Sequence, residues 1–400
     1  MANSIAFMDQ LQGASYQSLS ATSFQVGIVD PDSAHLTTSQ IRSLEATGKS
    51  LIGYLSIGEA ENYRGYWQSS WDTSKPSWIL GENPNWPGDY NVKFWDPAWQ
   101  NIIINQATAM AKAGYNGLML DVVDAYSVAS VAAADGGIAH ARADMVKFVE
   151  AISAATKAIN PDFKIIQNNA LDLLTINPND PSSATNTAYL SHIDGVLAES
   201  TFYNPNNTAT TWGAWNEQYL HHAVDAGKTV LVLDYPTSAT AQNAFIAKAI
   251  ADGFVPYVAN QNLDSNIQSV NYQIPGELPA GAMASLLVHT TTAPPPVITP
   301  SPYHVTVIPD GKHTLYANTT YAEFDAHAGF SGNTIIKYFG TDAHDVVGID
   351  HTIYSTVADV MSHITYSGAN GIIHLPNGHS TITIAAAGNH GLIAADFLII

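Results

Sequence analysis

The sequence predicts a (β/α)₈ barrel followed by a small all-β domain. Up to about residue 260, short apolar runs alternate with longer amphipathic segments, which is the pattern of buried parallel strands joined by helices. A proline-rich stretch, residues 290–303, precedes a last part that shows little helical period. We therefore place the barrel at residues 1–290, a linker at 291–303 and a second domain at 304–400.

Eight apolar runs supply the predicted barrel strands. Runs of this kind suit parallel strands that are buried on both faces. Eight strands with helical crossovers favour a closed barrel, and a doubly wound open sheet is the alternative. The predicted strands are Ile5–Met8, Phe24–Val29, Leu51–Ile57, Gly117–Val122, Phe163–Gln167, Gly195–Ala198, Thr229–Leu233 and Phe254–Ala259.

Helix signals lie between these runs. Thr37 and Gln40 have the spacing of a capping box. Asp96 is placed to cap the next helix, with Pro97 in its first turn and Gly114 just past its end. These signals support the alternation of strands and helices.

Residues 304–400 predict a β-solenoid-like or sandwich-like domain. Asn-Gly and Gly-Asn pairs separate short apolar runs, and one segment, residues 355–364, has a helical pattern. The C-terminal tail loosely resembles those of bacterial proteins exported by type I secretion, although calcium-binding nonapeptide repeats are missing. An accessory β domain is the alternative. The predicted strands are His304–Val307, Thr334–Phe339, Gly371–His374 and Thr381–Ala385.

The chain is strongly acidic, with 34 Asp and Glu against 14 Lys and Arg and a formal charge of −20. This charge disfavours nucleic acid as a partner and suits a cationic or neutral ligand. Cysteine is absent, so disulfides and thiolate sites are excluded. No run is long and apolar enough to span a membrane.

The N-terminus lacks the basic and apolar regions of a classical signal peptide. A cytoplasmic protein or one exported by another route fits this observation. We expect an extracellular protein that is exported through a C-terminal type I signal. Calcium binding or self-association would then be further roles of the C-terminal domain.

Five acids directly follow or end predicted strands. In a parallel barrel such residues converge on one mouth, where the reacting groups lie. With few Lys and Arg to neutralise them, some of these carboxyls should have raised pKa values or bind a cation. They are Asp30, Glu59, Asp121, Glu199 and Asp234.

Residues 51–126 combine carboxylates with aromatic rings. Two apolar runs end in acids, and five tryptophans lie in the connection between them (Trp67, Trp71, Trp78, Trp86 and Trp95). Carboxylates can protonate or attack at a glycosidic bond, and flat rings stack on sugar faces. This combination indicates carbohydrate chemistry.

The same segment resembles the glycoside-hydrolase family of endo-α-1,4-polygalactosaminidases. The matching blocks are GEAE with Tyr63, Arg64 and Trp67, then ENPNWPGDY, WDPAWQ and LDVVDAY. The resemblance implies a (β/α)₈ barrel that cleaves an α-1,4-linked galactosamine-containing polysaccharide. An acid-lined mouth would attract such cationic amino sugars.

We predict Asp121 as nucleophile or base and Glu199 as acid, with the roles open to exchange. Arg64 either orients an acid or forms a buried pair that holds its loop. Asp96 is expected to be a helix cap and Trp99 a core residue. The predicted substrate-binding residues are Asp30, Glu59, Arg64, Trp86, Tyr90, Trp95, Asp124, Tyr126, Asn168, Tyr203 and Asp234.

Other chemistries lack support. There is no glycine-rich phosphate loop or dinucleotide-binding pattern, and the histidines have no metal-binding spacing, so we expect neither cofactor nor metal. Acids and aromatic rings predict binding as readily as hydrolysis. A non-catalytic glycan-binding surface protein and a glycosidase of another polysaccharide specificity are therefore the alternatives.

Overall fold

A computed structural model gives the structure of the protein in two compact units, Met1–His289 and Thr290–Ile400. The described residues are 4–264, 266–276, 278–279, 281–287, 304–316, 322–327, 330–337, 346–350, 352–354, 356–368, 370–385 and 397–399. The predicted linker, residues 291–303, lies outside them.

Eight parallel strands form the sheet of the first unit, and their order in space, β1-β2-β3-β7-β8-β9-β10-β11, follows their order in the chain. A doubly wound sheet would reverse this order at a switch point. The rings of Phe7 and Tyr257, on the first and last of these strands, lie 5.4 Å apart and bring the two edges together. The predicted (β/α)₈ barrel is confirmed. The strands of this unit are β1 (Ile5–Gln10), β2 (Phe24–Val29), β3 (Ser50–Ser56), β4 (Glu59–Glu61), β5 (Ile79–Glu82), β6 (Asp89–Val92), β7 (Gly117–Asp121), β8 (Lys164–Asn168), β9 (Gly195–Glu199), β10 (Thr229–Asp234) and β11 (Val255–Val258).

Helices connect the strands and pack apolar faces on the sheet. The predicted caps are present, because Thr37 and Gln40 form a capping box and Asp96 accepts a hydrogen bond from the N–H of Ala98. Among the described residues, no helix is long and apolar enough to cross a membrane. The helices are α1 (Tyr16–Ala21), α2 (Pro31–Ala34), α3 (Thr38–Glu45), α4 (Pro97–Ala113), α5 (Ala129–Ala134), α6 (Ile138–Lys157), α7 (Thr187–Leu190), α8 (Gly213–Asp225), α9 (Ala239–Ala251) and α10 (Ala284–Leu287), with 3-10 turns at Ser69–Asp72, Val123–Ser127, Leu171–Leu174, Ser269–Tyr272 and Ile274–Gly276.

A small antiparallel sheet, β4-β6-β5, fills the connection between β3 and α4. Most of the tryptophans of this connection serve packing. Trp78 lies between the rings of Trp71 and Trp99, with centroids 5.2 Å from each, and Trp99 is fully buried as expected. The connection is therefore anchored to the barrel by its own aromatic core.

The second unit winds between two sheets. Its successive strands β12 to β16 alternate between the sheet β12-β14-β16-β20 and the sheet β13-β15-β19-β18-β17. Pairing is parallel apart from the hairpins at β17-β18-β19. This winding is that of a two-sheet solenoid. The elements are β12 (His304–Val307), β13 (Gly311–Tyr316), β14 (Ala322–Ala326), β15 (Gly332–Lys337), β16 (Val346–Ile349), α11 (Val357–Ser362), β17 (Ile364–Ser367), β18 (Asn370–His374), β19 (Thr381–Ile384) and β20 (Phe397–Ile399).

The predicted β-rich C-terminal domain is therefore confirmed for the described residues. Buried side chains between the sheets include Phe324, Ile336, Val347 and Ile382. The end of the predicted strand Thr334–Phe339 and most of the C-terminal tail lie outside the described residues.

Candidate active site

Three neighbouring strands end in the residues that define the mouth of the barrel: Asp121 on β7, Asn168 on β8 and Glu199 on β9. Asn168 is buried, and its Nδ2 donates to Asp121 Oδ1 at 2.8 Å and to Glu199 Oε1 at 2.9 Å. A single amide group thus links the two predicted catalytic carboxyls.

Asp121 receives two further hydrogen bonds. The hydroxyl of Tyr54 donates to Oδ2 at 2.8 Å, and the backbone N–H of Val122 donates to Oδ1 at 2.8 Å. With Asn168, three donors fix the orientation of this carboxylate.

Glu199 lies in a different environment. Burial is the main reason that its pKa is raised above the ordinary value, and the charge of Asp121 adds to the effect. The hydroxyl of Tyr235 donates to Oε2 at 2.7 Å, and this bond and that from Asn168 act in the opposite direction. Burial therefore favours the protonated form of Glu199.

The chain leaves each of these strands in an unusual conformation. Val122, Asn169, Ala170 and Ser200 have φ of 56°, 50°, 50° and 49°, in the left-handed region that residues other than glycine rarely adopt. Such conformations store about 1–3 kcal/mol each and are typical of functional sites. At Val122 this turn directs the backbone N–H to Asp121.

Gly58 permits a close approach of two loops at the mouth. A Cβ at this position would lie 2.2 Å from the backbone oxygen of Val122 and 2.5 Å from the Cβ of Ala125. Any side chain there would push against the residue that follows Asp121. The glycine of the GEAE block therefore has a steric role.

A buried carboxyl, Asp9 on β1, interacts electrostatically with the same pair. Asp9 is 2% exposed, and its Oδ1 has no hydrogen-bond partner among the described residues. Burial raises its pKa well above the ordinary value, with further contributions from the charges of Glu199 and Asp121. Sequence reasoning missed Asp9 because it placed the end of the first strand at Met8.

Arg64 binds two carboxylates in the loop after β3. Its Nε lies 2.7 Å from Glu61 Oε2, and its Nη1 lies 2.7 Å from Asp30 Oδ1. The guanidinium also lies over the ring of Tyr54, 5.4 Å from its centroid. Of the two interpretations of Arg64, the geometry is that of a buried pair, in which Glu61 and Asp30 are the partners. Because Tyr54 binds Asp121, this pair also supports the site.

Two acids of the connection between β3 and α4 have raised pKa values. Burial is the main cause at Glu59, which is 5% exposed and accepts from Asn83 Nδ2 at 2.9 Å, and raises its pKa to about 6. Burial, followed by the charge of Glu61, raises the pKa of Asp89 to about 6. Sequence reasoning missed Asp89, which lies at the start of β6 rather than at a barrel strand end.

Residues 3–275 match the model of glycoside-hydrolase family GH114. The chain belongs to this family. It is a glycoside hydrolase, as the blocks in residues 51–126 indicated, and this finding decides against the non-catalytic alternative.

Relatives of this glycosidase come from distant organisms. An uncharacterized protein of Deinococcus radiodurans is 34% identical over 249 residues, which cover 61% of this chain and 75% of the relative. An uncharacterized protein of Methanocaldococcus jannaschii is 32% identical over 268 residues, which cover 63% of this chain and 75% of the relative. The solved structure of Aspergillus fumigatus Ega3 in complex with galactosamine has a TM-score of 0.51 at 19% identity and covers 67% of this chain and 96% of that one. This last similarity shows the shared fold.

The aromatic residues that are predicted to contact substrate differ in how far their rings are exposed. Trp86 is 67% exposed at the turn between β5 and β6. Tyr90 stacks on Trp67 at 5.1 Å, and Trp95 packs edge-on against Phe94 at 5.0 Å. Trp86 therefore offers a larger free ring surface than Tyr90 or Trp95, while Tyr203 is half-buried in the loop after β9.

Asp234 is a correction to the predicted substrate-binding set. Its side chain is fully buried, and its carboxylate accepts the backbone N–H groups of Thr201, Phe202 and Tyr203 at 2.7, 2.7 and 2.6 Å. Asp234 therefore shapes the loop after β9 and is not accessible to a substrate in this structure.

Tyr126 is a second correction. It is 1% exposed, its hydroxyl donates to Asp172, and the guanidinium of Arg142 lies 5.1 Å from its ring centroid. These contacts place it in the core beneath the loop after β7. Asp124, two residues earlier, is exposed and stays a candidate for contact with substrate.

Two groups of side chains have the composition of metal ligands within the described residues. They are Asp135, His140 and Asp144 on α6 and the turn before it, and Glu217, His221 and Asp252 on α8 and at the end of α9. In each group a lysine already pairs with a carboxylate, Lys147 with Asp144 and Lys248 with Glu217. Neither group includes Asp121 or Glu199.

Proposed function

We propose that the protein is an endo-acting hydrolase of α-1,4-linked galactosamine-containing polysaccharide, with Asp121 and Glu199 as its two catalytic carboxyls. The observation that carries the assignment is the hydrogen bonding of both carboxyls by the amide of Asn168. The galactosamine in the Ega3 structure and the family resemblance support the sugar.

The spacing of the carboxyls supports retention of anomeric configuration. One nitrogen lies within 2.9 Å of an oxygen of each carboxyl, so these two oxygens are less than about 6 Å apart. Retaining glycosidases hold their carboxyls about 5–5.5 Å apart, whereas inverting enzymes need about 6.5–9.5 Å to admit a water.

The two environments support one choice between the roles that the sequence left open. Protonated Glu199 gives its proton to the glycosidic oxygen as the carboxylate of Asp121 attacks the anomeric carbon, so the C–O bond breaks and a covalent glycosyl ester forms. Ionised Glu199 then takes a proton from water, which attacks the same carbon and releases Asp121.

Charge supports an amino sugar as substrate. The chain carries a net charge of −20, and the buried carboxyls Glu59 and Asp9 and the half-buried carboxyl Asp89 lie around the loops and strands of the mouth. A mouth lined with acids attracts ammonium groups, and this attraction weakens with salt. We expect KM to rise with ionic strength.

We also propose that the enzyme acts outside the cell and leaves through its C-terminal unit. The polymeric substrate and the winding of the described strands of the second unit between two sheets support this proposal. Expression in a host with type I export should place the full chain, but not residues 1–290, in the medium. Equal retention of both in the cells would contradict it.

The test of function is release of reducing ends from de-N-acetylated α-1,4-polygalactosamine. We expect Asp121→Asn and Glu199→Gln to lower kcat by about 10³-fold or more. Asp96→Asn is the matched control, because Asp96 caps α4 through the N–H of Ala98 and asparagine also caps a helix.

Full activity of either catalytic variant would refute its assigned role. Cleavage of neutral polysaccharides with no cleavage of the amino polymer would instead establish a glycosidase of another specificity.

A further inference from the structure

A cavity of about 410 Å³ opens beside the catalytic acid. Its walls come from the segments after β10 and β11 and from α9, and they include Tyr235, Gln242, Asn260, Gln261, Asn262 and Gln268. The volume lies in the range of about 300–1,000 Å³ that is typical of small-molecule sites. The cavity is therefore large enough to hold part of a ligand.

Tyr235 connects this cavity to the chemistry. Tyr235 is one of the lining residues, and its hydroxyl donates to Glu199 Oε2 at 2.7 Å. A residue in direct contact with the catalytic acid thus also borders the cavity. This position suits the unit next to the bond that is cleaved.

The wall carries no charge in a chain with 34 acids. All nine residues that line the cavity are uncharged, and several are amides that offer both donors and acceptors. Asp264 lies in the same loop, but its Oδ1 accepts from Asn260 Nδ2 at 3.1 Å and from the N–H of Asn266 at 2.8 Å. The loop after β3, by contrast, carries Glu59, Glu61 and Asp89.

An ammonium group in this cavity would find no carboxylate partner among the lining residues. Hydroxyl and acetamido groups, by contrast, exchange hydrogen bonds with amides at little cost. The two sides of the mouth therefore select for different units of a polymer.

We propose that this cavity is a subsite for an uncharged sugar unit, either a hexose or an N-acetylated hexosamine, next to the cleaved bond. The inference rests on the proposed function and refines it: the enzyme cleaves where a cationic unit meets a neutral one. Mixed polymers are then better substrates than fully de-N-acetylated ones.

The experiment compares the ends of the products. Wild-type protein digests partially N-acetylated polygalactosamine and, in a second arm, a copolymer of galactose and galactosamine. Mass spectrometry then identifies the units on both sides of each cleaved bond. We expect neutral units to be enriched at least fivefold, relative to the polymer composition, on one side of the bond.

Gln261→Glu places a carboxylate in the cavity, and Gln273→Glu is the matched control. Both glutamines are exposed, and Gln273 lines a different cavity beside α9. We expect Gln261→Glu to reduce the enrichment to twofold or less and to raise kcat/KM on the fully de-N-acetylated polymer, while Gln273→Glu behaves as the wild type.

The outcomes separate the two proposals. Enrichment in both arms, or in the acetylated arm alone, supports the subsite and tells whether hydroxyl or acetamido groups are recognised. Product ends that match the polymer composition, or equal behaviour of both variants, overturn the subsite but leave the proposed function standing. Absence of cleavage in every arm overturns both.

Discussion

Gly58 lies directly against the backbone carbonyl of Val122, and a Cβ on this glycine would be 2.2 Å from that oxygen. The contact joins the loop after β3 to the residue that follows Asp121. The position of the proposed nucleophile thus depends on a residue without a side chain.

Gly58→Ala should lower kcat by about 100-fold, because displacement of Val122 moves Asp121, and misplacement of a reacting group by about 1 Å has this effect. The same overpacking should reduce the free energy of unfolding by about 1–3 kcal/mol. Gly65→Ala is the control, since a Cβ there meets no atom within 4 Å. Similar activities of the two variants would show that the contact does not matter.

The first product anomer should retain the α configuration, because the oxygens bonded by Asn168 are less than about 6 Å apart. Proton NMR during the first minutes of hydrolysis distinguishes the α from the β anomer before they interconvert. Initial appearance of the β anomer would exclude Asp121 as a covalent nucleophile.

Tyr235→Phe should shift the basic limb of the pH profile of kcat/KM to higher pH by about one pH unit. The hydrogen bond from Tyr235 lowers the pKa of Glu199, so its removal raises that pKa and keeps the acid protonated at higher pH. Tyr219→Phe, which removes a hydroxyl bonded to the carbonyl of Pro178, should leave the profile unchanged. A shift to lower pH would contradict Glu199 as the acid.

Glu59→Gln should weaken the dependence of stability on pH between about 4.5 and 6. The pKa of Glu59 is about 6 in the folded protein against an ordinary 4.5, so the folded state binds more protons in this window and loses stability as pH rises through it. Glutamine does not titrate. Chemical denaturation at several pH values tests this slope, with Glu45→Gln, at the opposite end of the barrel, as the charge-removal control.

Asp234→Asn should reduce the free energy of unfolding by about 2–4 kcal/mol and lower activity. One carboxylate oxygen accepts two backbone N–H groups and the other accepts a third, and an amide group would turn an NH₂ toward at least one of them. Asp225→Asn, on α8, serves as the control. Wild-type stability of Asp234→Asn would refute a structural role for this acid.

The barrel was predictable because its signals are local. Apolar runs located all eight strands, and capping residues such as Thr37 and Asp96 located helix starts. Asp121 and Glu199 were accessible to the same reasoning, since parallel strands bring their ends together.

The partners of these acids were harder to predict. Tyr54 lies within β3, two residues before Ser56, whose register partner is Asp121, so alternation along the strand was an available signal. The burial of Asp234 and Tyr126 depends on how loops fold over the strand ends. This packing has no periodic pattern in the sequence from which it could be predicted.

The left-handed residues after β7, β8 and β9 have a consequence for selection. Val122→Gly or Ser200→Gly would relieve backbone strain, yet each would also free the turn that aims a hydrogen bond or a carboxyl at the reaction centre. A library screened for heat resistance alone should therefore accumulate changes at these positions and yield robust but slow enzymes. At these positions, a substitution that raises thermal stability is expected to lower the turnover rate.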